Sequence, residues 1–316
     1  MKEKNRAGLK HERDSSSVND KKLEMPRTNF QELLDAGVHF GHLKRKWNPA
    51  MAPYIFMERN GIHIIDLEKT IIKIDEAAAA MKQIARSGKK ILFVATKKQA
   101  KEIVAERVRY INMPYVTERW PGGMLTNFPT IRKAVKKMSS IDKMAGDGTF
   151  SNLSKRERLQ VTRQRAKLEK NLGSIADLTR LPSAIFVVDV CKEHIAVSEA
   201  KRLGIPVFAM VDTNSDPAVI DFPIPANDDA SKSISLIVGL LCQAIEEGLN
   251  ERKMEKDKEP AQKEKKASGK EIEIMYQSPK PEEEAEEDEA EEDGTDDDPE
   301  EEEEDVEETV DDIEED

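Results

Sequence analysis

Basic and aromatic side chains cluster in two short stretches of the sequence, in the pattern of a surface that binds an anionic polymer. The first stretch consists of Lys44, Arg45, Lys46 and Trp47. The second contains Arg119, Trp120, Gly122 and Gly123. Lysine and arginine neutralise phosphates, an indole can stack on an unpaired base, and glycine lets a bulky partner approach the backbone. These residues therefore indicate contact with nucleic acid, the alternative being a solvated basic loop whose Trp lies in the core.

A basic helix is predicted directly after the second stretch. Thr126 and Asn127 can cap its N-terminus, and Pro129 suits its first turn. Apolar residues then recur at three- and four-residue spacing from Ile131 to Ile141. The outward face carries Arg132, Lys133, Lys136 and Lys137. The other cations that we assign to the same contact surface are Lys97, Lys98, Arg163 and Arg165.

Two aspartates, Asp189 and Asp212, each follow an apolar run that predicts a strand. Open parallel sheets bind ligands at the carboxyl ends of their strands, so this placement could suit a phosphoryl-transfer or metal-dependent enzyme. The sequence has no Gly-x-Gly-x-x-Gly loop, no Walker-type lysine loop and no serine or cysteine nucleophile with an evident base. Because Asp, Thr and Asn also satisfy turn backbones, structural turns are favoured over catalysis, and no cofactor is predicted.

Histidines give a weaker signal for a metal. His39 and His42 have the spacing of paired ligands, and His194 lies five residues after Asp189. A zinc site normally needs four ligands, and histidines on an aromatic, glycine-containing loop more often hydrogen-bond or stack. Asp189 and His194 are the metal candidates that the sequence offers.

The charge of the chain is divided between a basic body and an acidic tail. The formal net charge of the 316 residues is -13. Pro281–Asp316 holds 26 acids and no base, so residues 1–280 carry +13, and residues 81–170 alone hold 22 bases and 7 acids. A concentrated basic region is typical of proteins that bind nucleic acid. The tail is either a solubilising brush or an electrostatic shield for the basic body.

The remaining composition favours the cytoplasm. The two cysteines, Cys191 and Cys242, are too few for a disulfide framework and suit a reducing compartment. No apolar run approaches the roughly 20 residues of a membrane span, and the N-terminus has no apolar signal core. We therefore expect a cytoplasmic protein without a membrane partner.

Continuous apolar runs alternate with amphipathic helices along most of the chain. The runs Ile91–Ala95, Ile185–Val188 and Val207–Val211 predict strands. Strands that are apolar throughout are buried on both faces, as in parallel sheets covered by helices. The pattern predicts an α/β fold with a doubly wound parallel sheet, flavodoxin-like or Rossmann-like.

Two long helices interrupt this alternation. The second begins at Ser154, whose spacing to Glu157 fits a capping box, and it repeats Val161, Leu168 and Ile175 seven residues apart, as in a coiled coil. Together they predict an inserted antiparallel helical hairpin. Segments too poor in apolar residues to bury a core are predicted to be disordered. The predicted divisions are a disordered extension at 1–24, the α/β domain at 25–126 and 177–250, the hairpin at 127–176, and a disordered tail at 251–316, acidic from 281.

Several long motifs follow one another in the sequence. They are His39–His42, Lys44–Pro49, Tyr54–Phe56, Gly61–Lys69, Arg119–Asn127, Asp147–Phe150 and Val211–Pro217. In this order they resemble the second protein of the bacterial small ribosomal subunit, the universal uS2 family, over roughly residues 28–249. Pro121 stands where the family is expected to have a bulkier apolar residue.

The resemblance implies a docking function without catalysis. It implies a structural constituent of the small ribosomal subunit that binds the small-subunit ribosomal RNA and contacts neighbouring proteins. It also implies that the protein helps to seat the large messenger-binding protein of that subunit. The alternatives are an enzyme that uses Asp189 and Asp212, and an RNA-binding regulator that stays off ribosomes.

Overall fold

The computed structural model describes residues 26–147 and 153–275 of the chain. The predicted extension at 1–24 and the acidic run from Pro281 lie outside the described residues. The chain divides into two units, Met1–Gln262 and Lys263–Asp316. The described part of the second unit, residues 263–275, is helical, and the architecture below is that of the first unit.

Helices and strands follow one another much as the sequence predicts. The helices are α1 (Phe30–Asp35), α2 (Leu67–Arg86), α3 (Lys98–Tyr110), α4 (Phe128–Gly146), α5 (Lys155–Leu172), α6 (His194–Arg202) and α7 (Ser231–Met275). The strands are β1 (Phe40–Leu43), β2 (Ile55–Arg59), β3 (Ile62–Ile65), β4 (Ile91–Val94), β5 (Tyr115–Val116), β6 (Ala184–Val188), β7 (Val207–Val211) and β8 (Phe222–Pro225). Within the described residues, no helix combines the length and the apolar character needed to cross a membrane.

Five strands form one parallel sheet in the order β5-β4-β6-β7-β8. Strand β4 comes first along the chain and lies inside the sheet. Strand β5 comes second and lies at one edge, and β6, β7 and β8 extend to the opposite edge. This order is the flavodoxin-like form of a doubly wound sheet. The prediction of a doubly wound parallel α/β fold is therefore confirmed.

Alternate residues of the central strands enter two hydrophobic cores on opposite faces of the sheet. Phe93 and Phe186 lie on the face that α2, α3 and α7 cover, with ring centroids 5.3 Å apart. Leu92 and Val187 lie on the other face, which α6 and the base of the helical hairpin cover. Helices on both faces explain why these strands are apolar throughout.

A second, antiparallel sheet in the order β1-β3-β2 was not predicted. Asn60 and Gly61 join β2 to β3 with φ angles of 52° and 73°. An Asn-Gly pair with positive φ at both positions is the strongest short signal of a two-residue hairpin turn. This Asn-Gly pair is visible in the sequence, although no hairpin was predicted from it.

Helices α4 and α5 form the predicted hairpin, inserted between β5 and β6. Ser154 caps α5 through the predicted capping box with Glu157. Asn127 is the N-cap residue of α4, but its side chain makes no capping bond and accepts from the Thr130 hydroxyl instead. The predicted capping role of Thr126 is also wrong, because its hydroxyl donates to Glu199.

Helix α7 continues to Met275, into the segment beyond residue 250 that the sequence predicts to be disordered. Glu247 and Glu251 pair with Lys82 of α2, at 3.5 and 2.8 Å. Gly248 lies so close to α2 that an added Cβ would stand 2.4 Å from the Lys82 carbonyl oxygen. The Glu, Lys, Arg and Gln residues beyond 250 are good helix formers, and pairing with α2 supports the turns that they form.

Candidate nucleic-acid interface

Lys97 is the predicted contact cation whose environment differs most from expectation. Its ammonium lies 2.7 Å from Asp229, 2.8 Å from Asp228 and 3.2 Å from Asp189, and its side chain is only 13% exposed. Burial disfavours the ammonium, but the hydrogen bonds to Asp228 and Asp229 outweigh it and raise the pKa of Lys97. Lys97 is thus occupied inside the protein, and the prediction that it contacts a phosphate is corrected.

Three further predicted cations have internal partners. Lys44 pairs with Glu58 at 2.7 Å, and Arg132 donates to the carbonyl oxygen of Leu178 at 2.9 Å. Arg165 pairs with Asp142 of α4 and, at 2.6 Å, with Glu169 of its own helix. The sequence does not reveal these ion pairs, because Glu58 and Asp142 lie on different elements from the cations that they contact. These cations contribute less to an external surface than their charge suggests.

Eight of the predicted cations are exposed and have no hydrogen-bond or ion-pair partner within the described ranges. They are Arg45, Lys46, Lys98, Arg119, Lys133, Lys136, Lys137 and Arg163. Lys133, Lys136 and Lys137 lie at i, i+3 and i+4 on α4, opposite the buried Val135 and Met138. Because residues at this spacing share one helix face, the three ammonium groups form a continuous basic strip.

The two tryptophans lie in different environments. Trp120 is 7% exposed, and its Nε1 donates to Glu199 at 3.1 Å, so the indole belongs to the core and cannot stack on a base in this conformation. Trp47 is half-buried, with its ring centroid 5.1 Å from that of His63. The predicted stacking role of Trp120 is therefore wrong, and the alternative of a core tryptophan is correct at that position.

A single carboxylate, Glu199 of α6, holds the loop that follows Trp120. Its oxygens accept from the backbone amides of Gly123, Leu125 and Thr126, at 2.8, 2.9 and 3.2 Å. Burial raises the pKa of Glu199, but the hydrogen bonds from Leu125, Trp120 and the other donors outweigh it, so the net pKa is lowered. The loop thus has a fixed shape, with Arg119 exposed at its start.

Sequence reasoning missed Glu199. In the sequence it stands among Ala196, Val197 and Ala200, which are buried on the same side of α6. A charged residue within a buried helix face needs a partner, because an unpaired buried charge is very costly. That pattern is visible in the sequence, but the residues that bind Glu199 are more than 70 residues away from it.

Acidic side chains converge at the carboxyl ends of the parallel strands. Asp189 follows β6 with a φ of 70° and accepts from the Lys192 amide, as predicted for a turn residue. Asp212 follows β7 and lies 3.1 Å from Nδ1 of His42, which raises the pKa of that histidine. For Asp228, burial and then repulsion from Asp212 and Asp189 raise the pKa to about 7.

The crevice between β4 and β6, where this strand order usually binds ligands, is filled by paired side chains. Lys97 contacts Asp189 across it, and the Thr96 amide donates to Glu193 at 3.1 Å. Lys192 donates to the Thr96 carbonyl oxygen at 2.9 Å. These contacts fill the crevice with paired protein groups, which argues against a nucleotide-dependent enzyme.

A metal ion would find its ligands in a different place from the predicted pair. Ligand atoms of His42, Asp212 and Asp228 all lie within 4.8 Å of one another. Oδ2 of Asp228 is buried without a hydrogen-bond partner, whereas Oδ2 of Asp212 lies 3.1 Å from His42. Imidazole with carboxylates suits zinc or a similar divalent ion. The structure does not group His194 with Asp189: its Nδ1 lies 3.3 Å from the Cys191 carbonyl oxygen.

Comparison with known proteins gives one consistent result. Residues 33–248 match the family model described as Ribosomal protein S2. A curated protein of Phocaeicola vulgatus, named small ribosomal subunit protein uS2, is 72% identical over 263 residues, covering 83% of this chain and 94% of that protein. Proteins of the same name from Parabacteroides distasonis and Porphyromonas gingivalis are 75% and 76% identical over 232 residues. Each of those matches covers 73% of this chain, and they cover 84% and 83% of the two relatives.

Proposed function

The chain belongs to the ribosomal protein S2 family, and from this premise we propose that it binds small-subunit ribosomal RNA through the hairpin α4–α5 and the loop Arg119–Asn127, here called the Arg119 loop. As a member of that family it is a structural constituent of the small ribosomal subunit in the cytoplasm and is not an enzyme. Beyond family membership, we propose that particular residues of the hairpin and of the Arg119 loop contact the RNA.

The basic strip on α4 is the observation that carries this proposal. Lys133, Lys136 and Lys137 are exposed, adjacent and free of internal partners within the described chain. Arg163 of α5 and Arg119 at the base of the hairpin are likewise exposed. Ammonium and guanidinium groups without internal partners can replace the counterions of phosphates, and phosphate contacts are what position a protein on RNA.

The salt dependence of RNA binding tests the strip directly. Replacing Lys133, Lys136 and Lys137 with Gln should lower the slope of log K against log salt by about 2 to 3, because each phosphate contact contributes about 0.7 to 0.9. A matched control replaces three exposed cations elsewhere, Lys201, Arg202 and Lys232, and should leave the slope unchanged. Equal slopes for the two triple variants would rule out the strip as the contact.

Gradient sedimentation tests whether the protein is bound to small ribosomal subunits or is free in the cell. The protein in a gentle lysate should co-migrate stoichiometrically with small subunits on a gradient and should stay with them through a moderate salt wash. Migration as a free protein under every condition would instead support a regulator that acts away from ribosomes.

The antiparallel sheet supports a second part of the proposal, contact with a neighbouring protein. Phe40 and Met57 both pair with Ile64, so they lie on one face, and they are each 49% exposed. Phe56, at the irregular position beside Met57, is 70% exposed. An exposed apolar face of this kind is typical of a protein-binding surface, and we propose that it helps to seat the large messenger-binding protein.

Replacing Phe56 tests this surface without affecting the core. Subunits carrying Phe56→Ser should retain this protein but lose stoichiometric messenger-binding protein on a gradient. Ile72→Ser is a matched control, because Ile72 is also exposed, at 57%, but lies on α2. Normal occupancy by the messenger-binding protein in the Phe56→Ser subunits would contradict the assignment.

We propose metal binding by His42, Asp212 and Asp228 as a second candidate function, supported by the convergence of their ligand atoms and by the buried Asp228 Oδ2, which has no hydrogen-bond partner. Zinc added to the purified chain should raise its melting temperature, and His42→Asn should abolish the increase. An equal increase in the variant would place any zinc elsewhere.

A further inference from the structure

A groove of 510 Å³ lies between the Arg119 loop and the helical hairpin. Pro121 and Gly122 form one wall, and Ile131 and Leu168 line it with apolar side chains. An added Cβ on Gly122 would meet nothing within 4 Å, so this wall opens into free space. The volume falls within the range of about 300 to 1,000 Å³ that is typical of small-ligand sites.

Four polar side chains line the same groove. Arg119 and Lys167 contribute the cations, and Gln164 and Asn171 contribute amides. No carboxylate lines it, and none of the four polar side chains has a hydrogen-bond or ion-pair partner within the described residues. Gln164, Lys167 and Asn171 lie three, then four residues apart, so they share one face of α5.

We propose that this groove binds one unpaired nucleotide of the ribosomal RNA, with the base in the groove and its phosphate at the cations. The inference rests on the proposed function, because it names the form of RNA that the surface recognises. The apolar lining offers packing for the face of a base, and the amides offer both donors and acceptors to its Watson–Crick edge. Arg119 and Lys167 lie where an adjoining phosphate needs positive charge.

The composition of the groove favours a nucleotide over other occupants. A neighbouring groove beside β5 is lined by three acids, Glu118, Glu169 and Asp177, and by three cations, Lys90, Arg109 and Lys170, so it has no excess of positive charge for a phosphate. The groove at Gly122 combines apolar, amide and cationic groups without an acid, which is the set of contacts that an extruded nucleotide uses. A protein segment in the groove is the competing outcome of the test below.

The test adds a side chain at Gly122, which lines the groove. Gly122→Leu places a side chain in free space, and the Gly122 backbone is not in the left-handed region. Gly239→Leu is the matched control, because Gly239 is equally open but lines the groove between α3 and α7. Each full chain is titrated onto small subunits depleted of this protein and onto protein-free small-subunit RNA, with chemical probing of Watson–Crick edges.

We expect the wild type and Gly239→Leu to protect one or a few unpaired bases. Gly122→Leu should leave the same bases reactive and bind both targets about 10- to 100-fold more weakly, the range expected when one packed base is lost. Its salt slope should not change, because no charge is removed. The double variant Gln164→Ala with Asn171→Ala should also leave those bases reactive to the chemical probe. It replaces Gly122→Leu in the test if that variant does not fold.

Two results would overturn the inference. One is a folded Gly122→Leu that binds RNA and protects bases as the wild type does. The other is weaker binding to depleted subunits but not to RNA, which would assign the groove to a protein neighbour. If the wild type itself binds neither target, the proposed function fails, so the two failures are distinguishable.

Discussion

Replacing Glu199 with Gln should release the loop that follows Trp120. The carboxylate accepts from the Trp120 indole and from the amides of Gly123, Leu125 and Thr126. A glutamine of the same shape keeps one acceptor oxygen and turns an NH2 group towards the remaining N–H donors. The substitution therefore changes the hydrogen bonding of the loop while leaving its packing volume unchanged.

The size of the effect follows from the donors that lose their acceptor. The bonds from Trp120 and Leu125 are buried, whereas those from Gly123 and Thr126 are partly exposed. A buried donor without an acceptor costs about 1 to 3 kcal/mol, so we expect the free energy of unfolding to fall by about 3 kcal/mol. For a folded body of about 200 residues this corresponds to a melting temperature about 6 to 12 °C lower.

Thermal unfolding of the full chain measures the loss, and tryptophan fluorescence localises it. In a Trp47→Phe background Trp120 is the single tryptophan, and its emission should shift to the red in Glu199→Gln. Glu102→Gln is the control, because Glu102 is exposed and has no partner in the described part of the chain. A melting temperature within about 2 °C of the wild type, together with unchanged emission, would refute the anchoring role.

The pH dependence gives an independent check of the same carboxylate. The pKa of Glu199 is lowered on folding, because its hydrogen bonds outweigh the effect of burial. A lowered carboxyl pKa contributes stability above the unfolded value of about 4.3 and loses it as the pH falls through the folded value. The difference between the wild type and Glu199→Gln should therefore be constant from neutral pH to about 5 and shrink below that.

Three other changes have expected outcomes. Because the pKa of Asp228 is raised to about 7, Asp228→Asn should gain stability relative to the wild type as the pH rises from about 4 to about 7, measured by chemical denaturation at each pH. Gly248→Ala should cost about 1 to 3 kcal/mol in the same assay, because its Cβ would stand 2.4 Å from the Lys82 carbonyl oxygen, whereas Gly239→Ala, in open space, should be neutral or stabilising. Deleting Pro281–Asp316 should raise nonspecific RNA affinity at low salt if the tail shields the basic body, and unchanged affinity would favour a solubilising role.

The parallel sheet was predictable because its signal is local. Each central strand is a continuous apolar run, such as Ile185–Val188, and each is followed by a helix or a turn aspartate. Burial on both faces imposes that composition whatever the neighbours are. The capping box at Ser154 was equally visible, since both partners lie within one helical turn.

The availability of the cations was not predictable, because it depends on partners that are distant in sequence. Lys97 meets Asp228 across 131 residues, and Arg165 meets Asp142 across 23. Charge counting treats Lys97 and Lys133 alike, although one is paired inside the protein and the other is exposed. The same limit applies to Glu199, whose role appears only when the loop and α6 are brought together.

The position of the hairpin within the sheet constrains how the chain can fold as it is synthesised. Strand β4 pairs with β6, and about 90 residues separate them, including both hairpin helices. At a synthesis rate of about 5 to 20 residues per second, β4 waits about 5 to 18 seconds before β6 is made. During that interval the hairpin has emerged while the sheet that supports it is incomplete. The basic strip is therefore available to cellular polyanions before the body behind it has folded.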